Sequence, residues 1–393
     1  MKGDFPSLVG KCTDCGLCFN SCPGIEFSYP EFNHYLFPGT KSDCDLGNFS
    51  RVCFGRSSDE EIRNKASAGG VVTGLVCGLL KKNIIKGAVV VGAHPLAPCE
   101  PKVKLADTPQ DIVNAAQSKY SMIALNAVLR ETTRAKADLA LVGLPCHIHG
   151  IRKLQKMGHP AVANIKYCIG LFCGLNLDKK ATSFLINKLN LDKNDIFKLE
   201  YRGGKWPGGF RVTLKNGKTY FLQKDIYNYL GLFFTPQRCL LCPDLTNEFA
   251  DISMGDAWNA NLESKRWSSI IVRTDKGREI LNAALSAGDI EVRPADISDI
   301  KRSHAHLIAY KKSGFSMRQR FTKNKPRFDL AKGSTQDQNA AFALLSTFLF
   351  FFMRNKLVFS SFNCIPLKFI IFLSKNARLA AMRISNLKKS PQL

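Results

Sequence analysis

Along the middle of the chain, apolar runs alternate with glycine turns. The pattern predicts helices and strands in alternation. Residues 67–83 (SAGGVVTGLVCGLLKKN) predict a helix entered through a glycine turn, and 84–94 (IIKGAVVVGAH) a buried strand. Pro95, Pro98 and Pro101 then predict an irregular excursion. Residues 108–137 pattern as helix with a break. Residues 138–146 (DLALVGLPC) form an apolar strand ending in a tight turn, 147–158 a helix, and 161–174 (AVANIKYCIGLFCG) another strand. This alternation predicts an α/β layer with some parallel pairing. Period-two alternation around Asn216-Gly217 predicts a hairpin over 210–222. The region from Arg238 to about residue 325 is mixed.

The two ends break this pattern. Residues 1–58 are turn-rich and hold six cysteines. So short a stretch has little core of its own and is expected to be stapled by a cofactor. At the other end, 340–353 and 357–373 are strongly apolar. No acidic residue follows Asp337, while Arg354, Lys356, Lys368, Lys375, Arg378, Arg383, Lys388 and Lys389 recur. The first apolar run is shorter than the roughly 20 residues a membrane span needs, and the second contains Pro366 and Lys368. The tail is expected to lie on an anionic membrane surface or a partner. Helices packed on the protein's own core are the alternative.

Composition adds a charge argument. The 393 residues are 45% hydrophobic and 22% charged, as in an ordinary globular protein. The net charge of +24 favours an acidic partner. No zinc finger, RNA-recognition motif or helix-turn-helix pattern accompanies it, so specific nucleic-acid binding is not expected. The first residues, MKGDFPSLVG, lack the apolar run of a secretory signal. A reducing, cytoplasmic setting is expected, with the tail at the inner membrane face. There the 14 cysteines read as metal ligands where they are spaced in pairs.

Cys12, Cys15, Cys18, Cys22 and Pro23 match the bacterial ferredoxin run C-x2-C-x2-C-x3-C-P. Three cysteines two residues apart wrap one corner of a cube, and the loop amides can hydrogen-bond its sulfides. Three such cysteines in succession are unusual for zinc. The fourth ligand is open between Cys22, Cys44 and Cys53. A second donor set combines the Cys239/Cys242 pair with Cys146, in a strand-to-helix turn, and Cys173, at a strand end. Strand C-terminal ends share one edge of a parallel sheet, where ligands bind. Cys168 competes with Cys173 but lies mid-strand. Cys77, Cys99 and Cys364 read as structural. A catalytic pair of Cys146 with His147 or His149 lacks any accompanying triad pattern. Ser67, Gly69, Gly70 and Thr73 open a helix, where backbone amides suit a phosphate; a plain helix cap is the alternative.

Together, CTDCGLC, SAGGVVT, QSKYS, LVGLPCHIHGIRKL, GLFCG, YRGGKWPGGF and CLLCPDLTNEFADISMGDAW, in this order between about residues 10 and 275, resemble the beta subunits of coenzyme F420-reducing hydrogenases and dehydrogenases. Hydroxymethyl chlorophyll a reductase is similar. The resemblance implies FAD and two [4Fe–4S] clusters. Cys146, Cys173, Cys239 and Cys242 would hold the inner cluster. Cys12, Cys15 and Cys18 would hold the outer one, with Cys53 as first choice for the fourth ligand. Ser67, Gly69, Gly70, Thr73, Ser118, Lys119, Tyr120 and Asp256 would line FAD, Lys119 facing a pyrophosphate or the reduced ring. No catalytic residue is assigned. The expected fold is mixed α/β (α+β). It comprises a ferredoxin-like module (1–58), a flavin region (59–155), a second-cluster region (156–325) and a basic apolar helical tail (326–393). The implied function is electron transfer between a ferredoxin-like donor or reduced deazaflavin, the clusters, FAD and a small substrate. Related chains also occur among surface-polysaccharide enzymes. The alternatives are an electron-transfer subunit without its own substrate, and a zinc-stapled interaction protein. Homo-oligomerisation is left open. A second ferredoxin run is degenerate here, and the tail has no typical counterpart in the family.

Overall fold

The computed structural model describes residues 6–258, 262, 266–322 and 325–330, with scattered positions between 347 and 376. After a short strand β1 (Glu26–Ser28), the chain builds a sheet from β2 (Arg51–Ser57), β3 (Gly87–His94), β4 (Ala97–Ala106), β5 (Leu139–Gly143) and β6 (Ile165–Leu171). A separate antiparallel sheet follows: β7 (Ile196–Gly203), β8 (Gly209–Leu214) and β9 (Thr219–Gln223). The first sheet is completed by β10 (Ile252–Asp256), β11 (Ser268–Val272) and β12 (Ile290–Pro294), in the order β12-β2-β11-β10-β6-β5-β3-β4. Its centre, β10-β6-β5-β3, is parallel throughout. That explains the unbroken apolar runs read at β5 and β6. Parallel strands are covered on both faces, and Leu139, Ala140, Leu141, Tyr167, Cys168 and Ile169 are all buried.

Two differences from the sequence reading have physical causes. The proline-containing stretch after β3 is the strand β4, not an excursion. It pairs only with β3 at the sheet edge, where a proline's missing N–H faces away from the ladder. Residues 51–57, read as the end of the N-terminal module, run between β12 and β11 inside the sheet. The N-terminal segment packs into a core shared with the sheet's strands and helices rather than building its own. Phe27, Tyr29, Phe32 and Phe37 are buried with Ile148, Ile151 and Phe249. β1 pairs in parallel with β13 (Arg327–Asp329).

The hairpin expected at Asn216-Gly217 is present as β8–β9, with Gly217 at φ 84°. The expected helix after the glycine turn is Val71–Lys81, capped by Gly70 at φ 76°, and that after β5 is Pro145–Lys156. Most of the tail, including Cys364, lies outside the described residues. Of its described positions, Phe350 packs on Leu240 and Tyr310, and Leu367 on the core of the second sheet. Phe348, Phe352, Phe369 and Phe372 are exposed. Among the described residues no helix is long and apolar enough to cross a membrane.

Candidate redox site

β5 and β6 are neighbours and parallel, so their C-terminal ends deliver side chains to one edge. Cys146 is the second residue of the helix leaving β5. Cys173 lies two residues past β6, its amide donating to Leu245 O at 2.8 Å. Cys239 sits in the short helix Gln237–Leu240, and the Cys242 amide donates back to Cys239 O at 3.3 Å. These four thiols converge. Burial, then the neighbouring Cys239 and Cys242, push Cys146 up to about 12. Burial raises Cys173 as well, and the other three thiols add to it. Four thiols crowded under burial resist ionisation unless a cationic centre sits among them.

Spacing distinguishes the two candidate centres. In a zinc site built from four cysteines, each sulfur lies about 2.3 Å from one ion, which brings all four close together. Among the described residues no three of these thiols lie within 4.8 Å of one another; only Asp43, Cys44 and Asp45 form so tight a group. The wider set fits a cluster in which each iron takes its own thiolate. Beside it, Arg238 Nε and Nη1 are buried without hydrogen-bond partners, a cationic edge suited to an anionic cluster.

The loop carrying Cys242 is itself buried from Leu241 to Ala250, an unusual place for loop backbone. Its polar residues make that possible. The Asp244 carboxylate accepts from the Asn247 amide at 2.7 Å and is joined to His149 Nε2 at 2.9 Å. Arg273 donates to Leu46 O, Asn48 O, Thr246 O, Thr246 Oγ1 and Ser253 Oγ at 2.7–3.2 Å. Arg152 pairs with Asp251 at 2.9 Å and donates to Phe249 O at 2.8 Å. Thus the polar letters of CPDLTNEFAD are engaged in backbone hydrogen bonds and buried side-chain pairs rather than left free for chemistry. Among the described residues no hydrogen bond joins Cys146 to either nearby histidine. His149 is turned to Asp244, and His147 Nδ1 accepts from the Leu144 amide at 3.2 Å.

Cys12, Cys15 and Cys18 are exposed around the helix Leu17–Ser21. The Leu17 amide and the Thr13 hydroxyl hold the Cys15 thiol below its usual range. Cys53, the first choice for their fourth partner, is overturned. It is 0% exposed inside β2, opposite Ile270 and Pro294, and belongs to the main hydrophobic core. Burial pushes its thiol up to about 11. Cys44 lies between Asp43 and Asp45, both paired with Lys301, and burial and those carboxylates raise its thiol. Cys22 caps the helix one turn after Cys18, on the same side. Its carbonyl accepts from Lys153, and Arg238 donates to Pro23 O at 2.9 Å. The Cys22–Pro23 corner therefore touches both the helix bearing Cys146 and the residue before Cys239.

Three of the remaining predicted residues, Ser67, Tyr120 and Asp256, meet at Arg202, which sequence reasoning passed over within YRGGKWPGGF. Its guanidinium donates to Ser67 O at 2.9 Å, Tyr120 Oη at 3.3 Å and Asp256 Oδ2 at 3.1 Å. Ser118 N donates to Ser67 Oγ at 2.8 Å. Burial opposes ionisation of Asp256, but Arg202 and Lys224 outweigh it and hold the carboxyl below the usual range. A Cβ on Gly69 would stand 2.6 Å from Gly55 O, so only glycine lets this turn close. Thr73 is buried in the following helix. Lys119 is turned to the carbonyls of Ala116 and Gln117, at 2.6 and 2.9 Å, and burial brings it down to about 7. The Arg202 guanidinium lies 5.8 Å from the Trp258 ring centre, and the Trp206 ring lies 5.1 Å from that of Trp258. Trp206 Nε1 is buried without a hydrogen-bond partner and the buried His304 ring faces Asp256, which fits a polar, aromatic-walled cofactor cradle. His304 stacks edge-on with Phe172 at 5.3 Å, and Phe172 precedes Cys173. One wall thus separates the inner thiols from the Arg202–Asp256 site.

Residues 52–130 match the family model for the N-terminal part of the coenzyme F420 hydrogenase/dehydrogenase beta subunit, and 136–298 that for its C-terminal part. The chain is 31% identical over 262 residues to coenzyme F420 hydrogenase subunit beta of Methanococcus voltae, covering 65% of this chain and 88% of that one. It is 32% identical over 257 residues to the same subunit from Methanothermobacter thermautotrophicus, covering 64% and 86%. Its fold is similar to a chain of the xenon-derivatised F420-reducing [NiFe] hydrogenase complex from Methanosarcina barkeri. There the TM-score is 0.59 and the identity 25%, covering 73% of this chain and 98% of that one. The matched segments contain Ser67, Tyr120, Arg202, Asp256 and all four inner cysteines. The chain belongs to the coenzyme F420 hydrogenase/dehydrogenase beta-subunit family, a family of oxidoreductase subunits.

Proposed function

We propose that this chain is an iron–sulfur flavoprotein that relays electrons between a protein donor and a small two-electron substrate. The observation that carries the reading is the convergence of Cys146, Cys173, Cys239 and Cys242 on one side of the Phe172–His304 wall, with the Arg202 cradle on the other. Iron–sulfur clusters supply one-electron transfer, and FAD supplies exchange between one- and two-electron steps. Cys12, Cys15, Cys18 and Cys22 hold the exposed cluster, where a partner can reach it. The inner four cysteines hold the second. The Gly70 amide, at the start of Val71–Lys81, receives the diphosphate, the Gly69 amide being tied to Ser268 Oγ at 3.1 Å. Arg202 and Asp256 fix the cradle, and Trp206 and Trp258 exclude water from it. The relatives' names favour a deazaflavin as the small substrate. The net charge of +24 favours an acidic protein donor such as a ferredoxin.

The test is anaerobic reduction of the purified chain by reduced ferredoxin, followed at the flavin absorption. The rate is expected to fall steeply between low and moderate salt, because exposed charges steer the encounter. Oxidation of added reduced deazaflavin is expected to bleach the same flavin. Salt-independent reduction removes the steering argument. A flavin that answers the protein donor but no small molecule favours the electron-transfer subunit without its own substrate.

We also propose that the tail rests on an anionic membrane through Phe348, Phe352, Phe369 and Phe372, which are exposed beside a basic segment. Replacing these four by Ser is expected to weaken co-sedimentation with phosphatidylglycerol vesicles about tenfold or more, with cofactor content unchanged. Equal binding by the variant places the membrane contact elsewhere.

A further inference from the structure

We propose that Lys311 sets the reduction potential of the inner cluster by placing an uncompensated positive charge among its thiolates. The proposal rests on the reading of Cys146, Cys173, Cys239 and Cys242 as cluster ligands. Lys311 lies outside the family-matched segments and in no motif of the sequence.

Its position is unusual. Lys311 belongs to a π-helical turn, Ala309–Ser313, inserted between the helices Ala305–Ile308 and Phe315–Arg320. Such turns push one side chain out of helical register. The side chain is 1% exposed. Its Nζ donates to Asp244 O at 2.9 Å, and the Cys242 thiol donates to the same oxygen at 3.6 Å. Ammonium and sulfur therefore meet at a single atom. The charges acting on Lys311 are led by Cys242, Cys173 and Cys239, with Asp244 after them.

Of the neighbouring cations, Arg238 also acts on Cys146 and Cys239, while the others are committed elsewhere. Lys312 is paired with Glu248 at 2.5 Å. Arg318 donates to Leu240 O and Tyr310 O and lies over the Tyr310 ring. Arg238 is tied to Pro23 O and lies over Phe328. Among the described residues Lys311 has no carboxylate at ion-pair distance. A buried ammonium needs a negative partner, and the thiolates are the ones at hand. Each electron entering a cluster makes it more negative, and potentials of such centres respond to nearby charge and hydrogen bonds. A fixed ammonium therefore favours the reduced form. The step concerned is transfer of one electron from an external reductant to the cluster; no bond is made and none is broken.

The experiment is a redox titration with dithionite on the anaerobically purified full chain, followed by electron paramagnetic resonance. It compares the wild type with Lys311→Gln and Lys311→Arg. Glutamine can still donate to Asp244 O but carries no charge; arginine keeps the charge. In Lys311→Gln the reduced-to-oxidised ratio of the inner cluster at fixed potential is expected to fall about tenfold, equivalent to about 59 mV for one electron. The outer cluster is expected to keep its ratio, and Lys311→Arg to stay close to the wild type. If Lys311→Gln loses the inner cluster, arginine decides: a cluster retained at the wild-type ratio supports the charge, and loss in both variants overturns it. A cluster-loaded Lys311→Gln with an unchanged ratio overturns the Lys311 proposal alone. A wild-type chain without iron and labile sulfide overturns the cluster reading and this proposal with it.

Discussion

Arg273→Met is expected to strip the inner cysteine set of its cofactor and to cost the fold about 4 kcal/mol. The guanidinium is 4% exposed and satisfies three loop carbonyls and two hydroxyls in segments far apart in sequence. Methionine fills the space of its stem but leaves Asn48 O and Thr246 O buried and unpaired, while Leu46 O keeps only the Thr246 hydroxyl. The affected strip, Leu241 to Ala250, carries Cys242 and Asp244, and Asp244 in turn orients His149. Denaturant unfolding combined with iron analysis checks this, with Cys173→Ser as the comparison. The serine variant removes one ligand without touching the loop's hydrogen bonds, so it is expected to lose inner-cluster iron while changing the unfolding midpoint far less. If Arg273→Met keeps both its iron and its midpoint, the loop is not held in the way described.

The second large effect is expected at Arg202. Arg202→Met leaves Asp256 with Lys224 as its main remaining cation, ahead of His304, and cuts the ties to Ser67 and Tyr120. Breaking a buried pair costs about 3–5 kcal/mol. The low end applies here because the Asp256 side chain keeps 21% exposure. Flavin content is expected to fall with stability, while the thiol sets beyond the wall keep their iron. The sign of the pH dependence follows from the folded-state shift. In the wild type, Asp256 is held below its unfolded value of about 3.9, so the pair's contribution is present above that value and is lost as pH falls through the lower folded one. In the variant, burial gains on Lys224 and His304 and raises the carboxyl. The penalty is then full above the raised value and shrinks on acidification. The stability gap between wild type and variant is therefore expected to be wider at about pH 8 than at about pH 4.5. A gap that stays constant or widens in acid assigns the loss to packing instead.

The sequence made some of this architecture readable and concealed the rest for identifiable reasons. β5 and β6 were legible because strands buried on both faces are apolar at every position, and two cysteines at their ends had to share an edge. β4 was hidden because prolines read as breakers, although an edge strand tolerates them. Cys53 was misplaced because cysteine spacing draws attention while burial is invisible in one dimension; its neighbours Ile270 and Pro294 lie more than two hundred residues away. Arg273 and Lys311 gave no local signal at all, and Arg202 stood unremarked within YRGGKWPGGF. Each is one basic residue among 56, and each acts on groups brought to it only by the fold. The polar run in CPDLTNEFAD was the available clue, since so many carbonyl- and amide-binding side chains between apolar neighbours imply backbone that must be satisfied indoors.

The most direct measurement of the central claim is iron, acid-labile sulfide, zinc and flavin per chain in anaerobically purified protein. The account predicts about eight iron, about eight sulfide and one FAD, with about half of the iron lost when Cys146 is replaced by Ser. A colourless chain carrying zinc and no flavin would contradict it.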